Sequence, residues 1–213
     1  MAADATQAES TVKQGVDLDD LEAFLEYADE NPADVQFDLG ATGTYEGRAI
    51  HTRATTGPYT LGGETIDRVA RQYTHHLGGH REVEAAVGFV DPTDREEVIE
   101  LALAALTGCI NAAVSMSAIA AGIDLDHLET SVRIAWDPFV FLHLRNVEDE
   151  DGEPVDMFGD LEVDVEVAGT DLDESDRAYL EESVGRSAVY NLMTLAHDCA
   201  PRVRTTGSTS GGA

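Results

Sequence analysis

Leu18, Leu21, Phe24 and Leu25 recur at helical spacing within Asp17 to Ala33, and Asn31-Pro32 closes the run, which predicts a short amphipathic helix. Val35 to Thr56 changes rhythm: stretches rich in Thr, Ile and Val, parted near Tyr45-Glu46-Gly47, predict two strands. Gly57-Pro58 marks a turn, and Tyr59 to His76 predicts another strand pair around Gly62-Gly63. Gly78 to Asp94 is broken by Gly78-Gly79, Gly88 and Asp91-Pro92 and reads as irregular. A long helix is predicted from Asp94, with Asp94 as cap and Glu97 completing a capping box, to about Ala121 before Gly122. It is apolar on nearly all sides, so it is expected at the centre of the fold, covered by several elements.

Leu128 to Phe141 reads as a strand, and Val147 to Pro154 as an acidic loop. Leu161 to Val167 alternates Leu-Glu-Val-Asp-Val-Glu-Val, the pattern of a strand with one wet face. A second helix is predicted over Leu172 to Leu195, capped by Asp173 or Ser175, with a short strand from Pro201 to Arg204. There is no βαβ alternation and no internal repeat, so the class is α+β with an antiparallel-rich sheet. One domain over residues 17–204 is expected, between a flexible acidic tail (1–16) and a flexible Gly/Ser/Thr tail (205–213).

Charge narrows the functions open to such a fold. The chain has 42 Asp and Glu against 13 Lys and Arg, a net charge of −29, and Lys13 is its single lysine. With no basic patch, nucleic acid and anionic membranes are excluded as partners. Disorder is excluded as well, because 43% of the residues are hydrophobic and fall in periodic runs. An acid-saturated surface almost without lysine is expected of a protein kept hydrated in molar salt. Leu101 to Ile123 carries no charge over 23 residues, which is spanning length. Its Ala, Gly, Ser and Thr content, Asn111 and acidic flanks favour a buried helix over a membrane span. Met1 to Ser10 shows no export signal, so a cytoplasmic location is expected.

Candidate chemistry is sparse. Cys109 and Cys199 lie 90 positions apart, which makes neither a disulfide framework nor a metal motif. Cys109 has two readings: a small inert hydrophobe in an Ala-rich helix, or a thiolate nucleophile activated by a nearby cation or helix end. His75, His76 and His80 raise a metal reading. Adjacent strand residues face opposite ways and no zinc spacing is present, so no metal or cofactor is expected. His76 is instead a candidate to line a pocket at Cys109. Gly78-Gly79 reads as a turn, since no Lys or helix start follows, and Glu148 to Glu153 as a solvated loop.

The segment Glu100-Leu101-Ala102-Leu103-Ala104-Ala105-Leu106-Thr107-Gly108-Cys109 resembles the first-helix motif of the OsmC/Ohr family. Ala120-Ala121-Gly122-Ile123-Asp124-Leu125 with Leu128-Glu129 is similar to that helix end and the next strand. Arg186-Ser187-Ala188-Val189-Tyr190 is similar to the second-helix motif, Cys-Pro-Val or Ser-Pro-Val. Gly57-Pro58-Tyr59-Thr60-Leu61 and Arg81-Glu82-Val83-Glu84 are like those of one OsmC-like branch, and together the resemblance spans roughly residues 35 to 204. It implies an antiparallel sheet wrapped around two long central helices, in an intertwined homodimer with sites at the interface. It also implies reduction of organic hydroperoxides by a Cys on each helix, with a Glu holding an Arg beside the reacting thiolate.

On these positions the resemblance makes Cys109 the reacting thiol and Glu100 the glutamate. The arginine is open between Arg71 and Arg81, with Arg95 read as a first-turn surface residue. Nine residues at about 100° each set Glu100 half a turn from Cys109, so a shared site would draw on a partner chain. Ser187 stands where two-Cys members carry the second Cys and cannot form a disulfide, and Cys199 is expected on a loop beyond the helix, with an unorthodox Cys109–Cys199 pair as the minor alternative. The function implied is therefore hydroperoxide reduction through Cys109 with an external thiol, Ser187 and His76 contributing to substrate binding. The alternative is a non-catalytic dimer of the same fold that binds a small apolar ligand at its interface, with Cys109 structural.

Overall fold

The computed structural model describes residues 12–66 and 72–204. Val12–Lys13 (β1) and Val16–Asp17 (β2) pair antiparallel, so backbone pairing already begins within the segment read as a tail. Helix α1, Leu18–Glu30, follows with Asp17 as its N-cap, accepting from the N–H groups of Asp19 and Asp20. Phe37–Asp38 (β3) pairs with Tyr59–Leu61 (β6), which turns through Gly62-Gly63 into Glu64–Ile66 (β7). Ala41–Tyr45 (β4), Thr52–Thr56 (β5) and Thr74–Gly78 (β8) form an antiparallel set, and Glu96–Glu97 (β9) joins β8 in parallel.

Two boundaries differ from the sequence reading here. The irregular stretch contains a six-residue helix, α2, Arg81–Ala86. The long helix α3 is Val98–Ala121, and its cap is Glu97, whose carboxylate accepts from the N–H groups of Ile99 and Glu100. Asp94 instead accepts from the N–H of Arg81 at 3.3 Å. Glu96 and Glu97 are drawn into the sheet by β9 pairing, which delays the helix by one turn and leaves Arg95 outside it. At the other end α3 closes on Gly122, whose φ of 74° is the left-handed cap conformation a side chain would strain. The chain's single lysine reinforces that end, with Lys13 Nζ 3.0 Å from Asp124 and 3.5 Å from the Gly122 carbonyl.

Leu125–Arg133 (β10) and Glu162–Gly169 (β11) pair antiparallel over their whole length. Along β11 the expected alternation holds: Val163, Val165 and Val167 turn inward while Glu162, Asp164 and Glu166 are exposed. The predicted strand to Phe141 stops at Arg133, because Pro138 and the turns after it break the extended backbone, and Trp136 keeps only an isolated bridge to Phe158. Pro201 to Arg204 forms no strand.

The core lies on one side of α3. Leu106, Ile110, Val114 and Ala118 are fully buried at four-residue spacing, and Leu180 and the inner residues of β10 and β11 pack against them. Asn111, polar within an uncharged run, accepts a 2.7 Å hydrogen bond from the Thr130 hydroxyl of β10. The helix is long and apolar enough to cross a bilayer by length and composition, yet this face is a packed protein core. The rest of α3 departs from the expectation of cover on nearly all sides, and Val98 and Met116 stay about half exposed.

Candidate active site

The second helix is not continuous. Helix α4, Glu174–Ser183, is opened by an Asp173 capping box with Asp176, and it gives way to a tight 3-10 turn at Val184–Arg186. Ser187 then adopts an extended conformation and caps a new helix, α5, Ala188–Thr194, accepting from the Tyr190 N–H at 3.2 Å. Gly185 weakens helix continuation, and a serine oxygen that satisfies an N–H of the next turn favours a fresh start. The break matters because it points the first N–H groups of α5 at α3.

Cys109 faces them from α3. Its half-buried sulfur accepts from the Val189 N–H at 3.4 Å. Burial alone pushes the thiol up, but the Ser187 hydroxyl and the N–H groups of Val189 and Ala188 outweigh it and hold the thiol below its ordinary value. Ser187 is 1% exposed, so its hydroxyl is committed to this junction. One hydroxyl can serve both contacts, giving its proton to sulfur while its lone pair accepts from Tyr190. A thiolate here is met by donors aimed at it before any reaction begins.

The other residues singled out in the sequence are engaged elsewhere. Glu100 lies 3.2 Å from His80, both exposed. His76 lies 3.1 Å from Glu46, which also binds Arg95 at 2.5 Å, and His75 pairs with Glu96 at 3.0 Å. Arg95 is therefore no first-turn surface residue: its stem packs against Gly78, and its hydrogen bond and then its charge hold the Glu46 carboxyl below the usual range. Arg81 opens α2 with an exposed side chain, and Arg71 lies outside the described residues. Each histidine thus meets a different carboxylate, and no group of three or more metal-ligating side chains occurs among the described residues.

A buried pair was not singled out from the sequence. His51 and Glu84 meet at 2.6 Å with essentially no exposure, and Glu84 also accepts from the N–H and hydroxyl of Thr93. Burial pushes the Glu84 carboxyl up, and these donors reverse that and hold it low. The His51 ring stacks on Phe89 at 5.7 Å, over which Arg48 sits at 5.2 Å. This knot fixes the stretch between β8 and β9, and through it the approach to the N-terminus of α3. No local motif announces it, since its members are 33 positions apart.

A groove of about 400 Å³ runs along α3 over Ala112, Ala113, Met116 and Ala120, beginning about one turn beyond Cys109. Leu21 and Leu25 of α1 form its other wall, with Tyr179 and Arg186 at its side. A second cleft of about 520 Å³ runs between β11 and α4.

Residues 99–199 match the family model described as OsmC-like protein. No curated protein matches the chain. Among solved structures, the chain is similar to an OsmC-like protein from Mycoplasma pneumoniae at 14% identity, covering 75% of this chain and 88% of that one, with a TM-score of 0.45. An organic hydroperoxide resistance protein from Elizabethkingia anophelis, with thiocyanate bound, aligns at 14% identity over 75% of this chain and 90% of that one, with a TM-score of 0.45. The organic hydroperoxide resistance protein OhrB of Bacillus subtilis aligns at 19% identity over 74% and 90% respectively, with a TM-score of 0.38. The match to the OsmC-like protein model thus spans the stretch that holds α3, the β10–β11 pair and the helix break at Ser187 in this α+β chain.

Proposed function

We propose that this protein is a thiol-dependent reductant of organic hydroperoxides that reacts through Cys109. The observation that carries this reading is the junction of Cys109 with Ser187 and the first N–H groups of α5, which favours a thiolate in a half-buried position. The Cys109 thiolate attacks the O–O bond, taking one oxygen as a sulfenic acid, and the alkoxide leaves and is protonated to the alcohol. A first external thiol condenses with the sulfenic acid, releasing water, and a second displaces Cys109 from the mixed disulfide. Ser187 has no sulfur to contribute and Cys199 is a free, exposed cysteine beyond the end of α5, so this reading takes both thiols from outside.

The half-exposed apolar residues of α3 support a homodimer in which a second copy covers that face. The acidic surface supports work in concentrated salt inside the cell, as a soluble protein. The test is cumene hydroperoxide consumption with dithiothreitol in molar salt, for wild type and Cys109→Ser. Consumption by the wild type that the variant loses supports the reading, and equal rates overturn it.

A further inference from the structure

Arg186 stands immediately before Ser187, in the turn that brings the hydroxyl to Cys109, and its side chain lines the α1–α3 groove. Ala112 and Ala113, its neighbours across that groove, lie three and four residues beyond Cys109, roughly 5–6 Å along the axis. In a chain with 42 acidic residues, Arg95, Arg133, Arg145 and Arg177 each hold a carboxylate. No carboxylate among the described residues pairs with Arg186. Arg53, Arg81, Arg202 and Arg204 share that state, as does Arg48, which holds only the backbone carbonyls of Val90 and Asp91, but none of them lines this groove. Arg186 is thus a cation without a carboxylate partner on a groove that begins one turn along α3 from Cys109, next in sequence to Ser187, where the chain lacks its own second thiol.

Resting on the peroxidase reading, we infer that Arg186 docks the carboxylate of a small anionic molecule that reacts at Cys109, and that this molecule is the external thiol reductant. The guanidinium presents paired N–H donors to a carboxylate, which places the incoming sulfur within one helical turn of Cys109. The reductant's thiolate attacks the outer sulfur of the mixed disulfide on Cys109, a new S–S bond forms between those two sulfurs, and the electron pair of the broken bond leaves with Cys109 as its thiolate. A carboxylate-bearing hydroperoxide would use the same contact, and the two sources separate in the test.

The test uses the full chain carrying Cys199→Ser, with Cys109 converted to its neutral S-methyl mixed disulfide. Release of the adduct is followed by intact mass with mercaptosuccinate and with 2-mercaptoethanol. For Arg186→Met the mercaptosuccinate rate relative to the 2-mercaptoethanol rate is expected to fall about fivefold, with Arg186→Lys retaining part of the preference. An unchanged ratio overturns the inference. In a second arm, turnover of an anionic hydroperoxide and of cumene hydroperoxide is compared with dithiothreitol as reductant. Equal effects of Arg186→Met on both keep the carboxylate with the thiol, and selective loss of the anionic peroxide overturns that assignment. Adduct release needs no peroxide, so a protein that fails to consume peroxide yet keeps the Arg186-dependent ratio sinks the peroxidase reading and not this one.

Discussion

Replacing Ser187 by Ala removes one hydroxyl from two places at once. At Cys109 it takes away a donor to sulfur, leaving the N–H groups of Val189 and Ala188 against an unchanged burial penalty. A hydrogen bond to a charged group is worth about 1.5–3 kcal/mol, so the thiolate loses stabilisation of that order and the thiol is expected to rise. At α5 the variant loses the cap on the Tyr190 N–H, which costs about 1 kcal/mol of stability. The two effects read out separately. In a Cys199→Ser background, the rate of alkylation by iodoacetamide against pH follows the thiolate of Cys109, and urea unfolding follows the cap. Ser187→Ala should move the alkylation midpoint upward while the protein stays folded. A folded variant with an unmoved midpoint would refute the role given to the hydroxyl, and a lost cap without a moved midpoint would make Ser187 a structural residue only.

Leu106→Ala should cost about 2–5 kcal/mol in urea unfolding, since Leu106 has no exposure and sits where α3 meets β10, β11 and α4. Glu84→Gln tests the buried pair through pH. The Glu84 carboxyl is held low in the fold, so its contribution is present above the ordinary glutamate range and lost as pH falls through the folded value. The wild-type advantage over the variant should therefore be full at neutral pH and shrink in acid, and a gap that widens in acid would contradict the pair. Lys13→Met should cost less than about 1 kcal/mol and lose its effect in molar salt, because the Lys13–Asp124 pair is largely exposed.

Periodicity made α1, the β6–β7 hairpin, the alternating β11 and the Gly122 end of α3 legible, because in each the local signal and the tertiary packing agree. It failed where a long-range partner overrode it. Asp94 and Glu97 both look like caps, and only the pairing of β9 with β8 chooses Glu97. Leu172 to Leu195 reads as one helix because apolar spacing continues across Gly185, and the cost of a single glycine does not reveal that Ser187 restarts the chain. That break is what gives Ser187 its place against Cys109, so the sequence named both residues without showing how they meet. His51 and Glu84 left no trace, since neither stands in a pattern and their burial is a property of the loop that folds over them. Glu100 and His76 show the opposite: their chemistry was evident, but each pairs away from Cys109, Glu100 with His80 and His76 with Glu46.

The central claim is that Cys109 is an activated, peroxide-reactive thiol. The most direct measurement is trapping of its sulfenic acid with dimedone after one equivalent of cumene hydroperoxide in molar salt, read by peptide mass spectrometry. The account predicts the adduct on Cys109, formed at neutral pH, with exposed Cys199 labelled far less. Labelling confined to Cys199, or none at Cys109 in the folded protein, would contradict it.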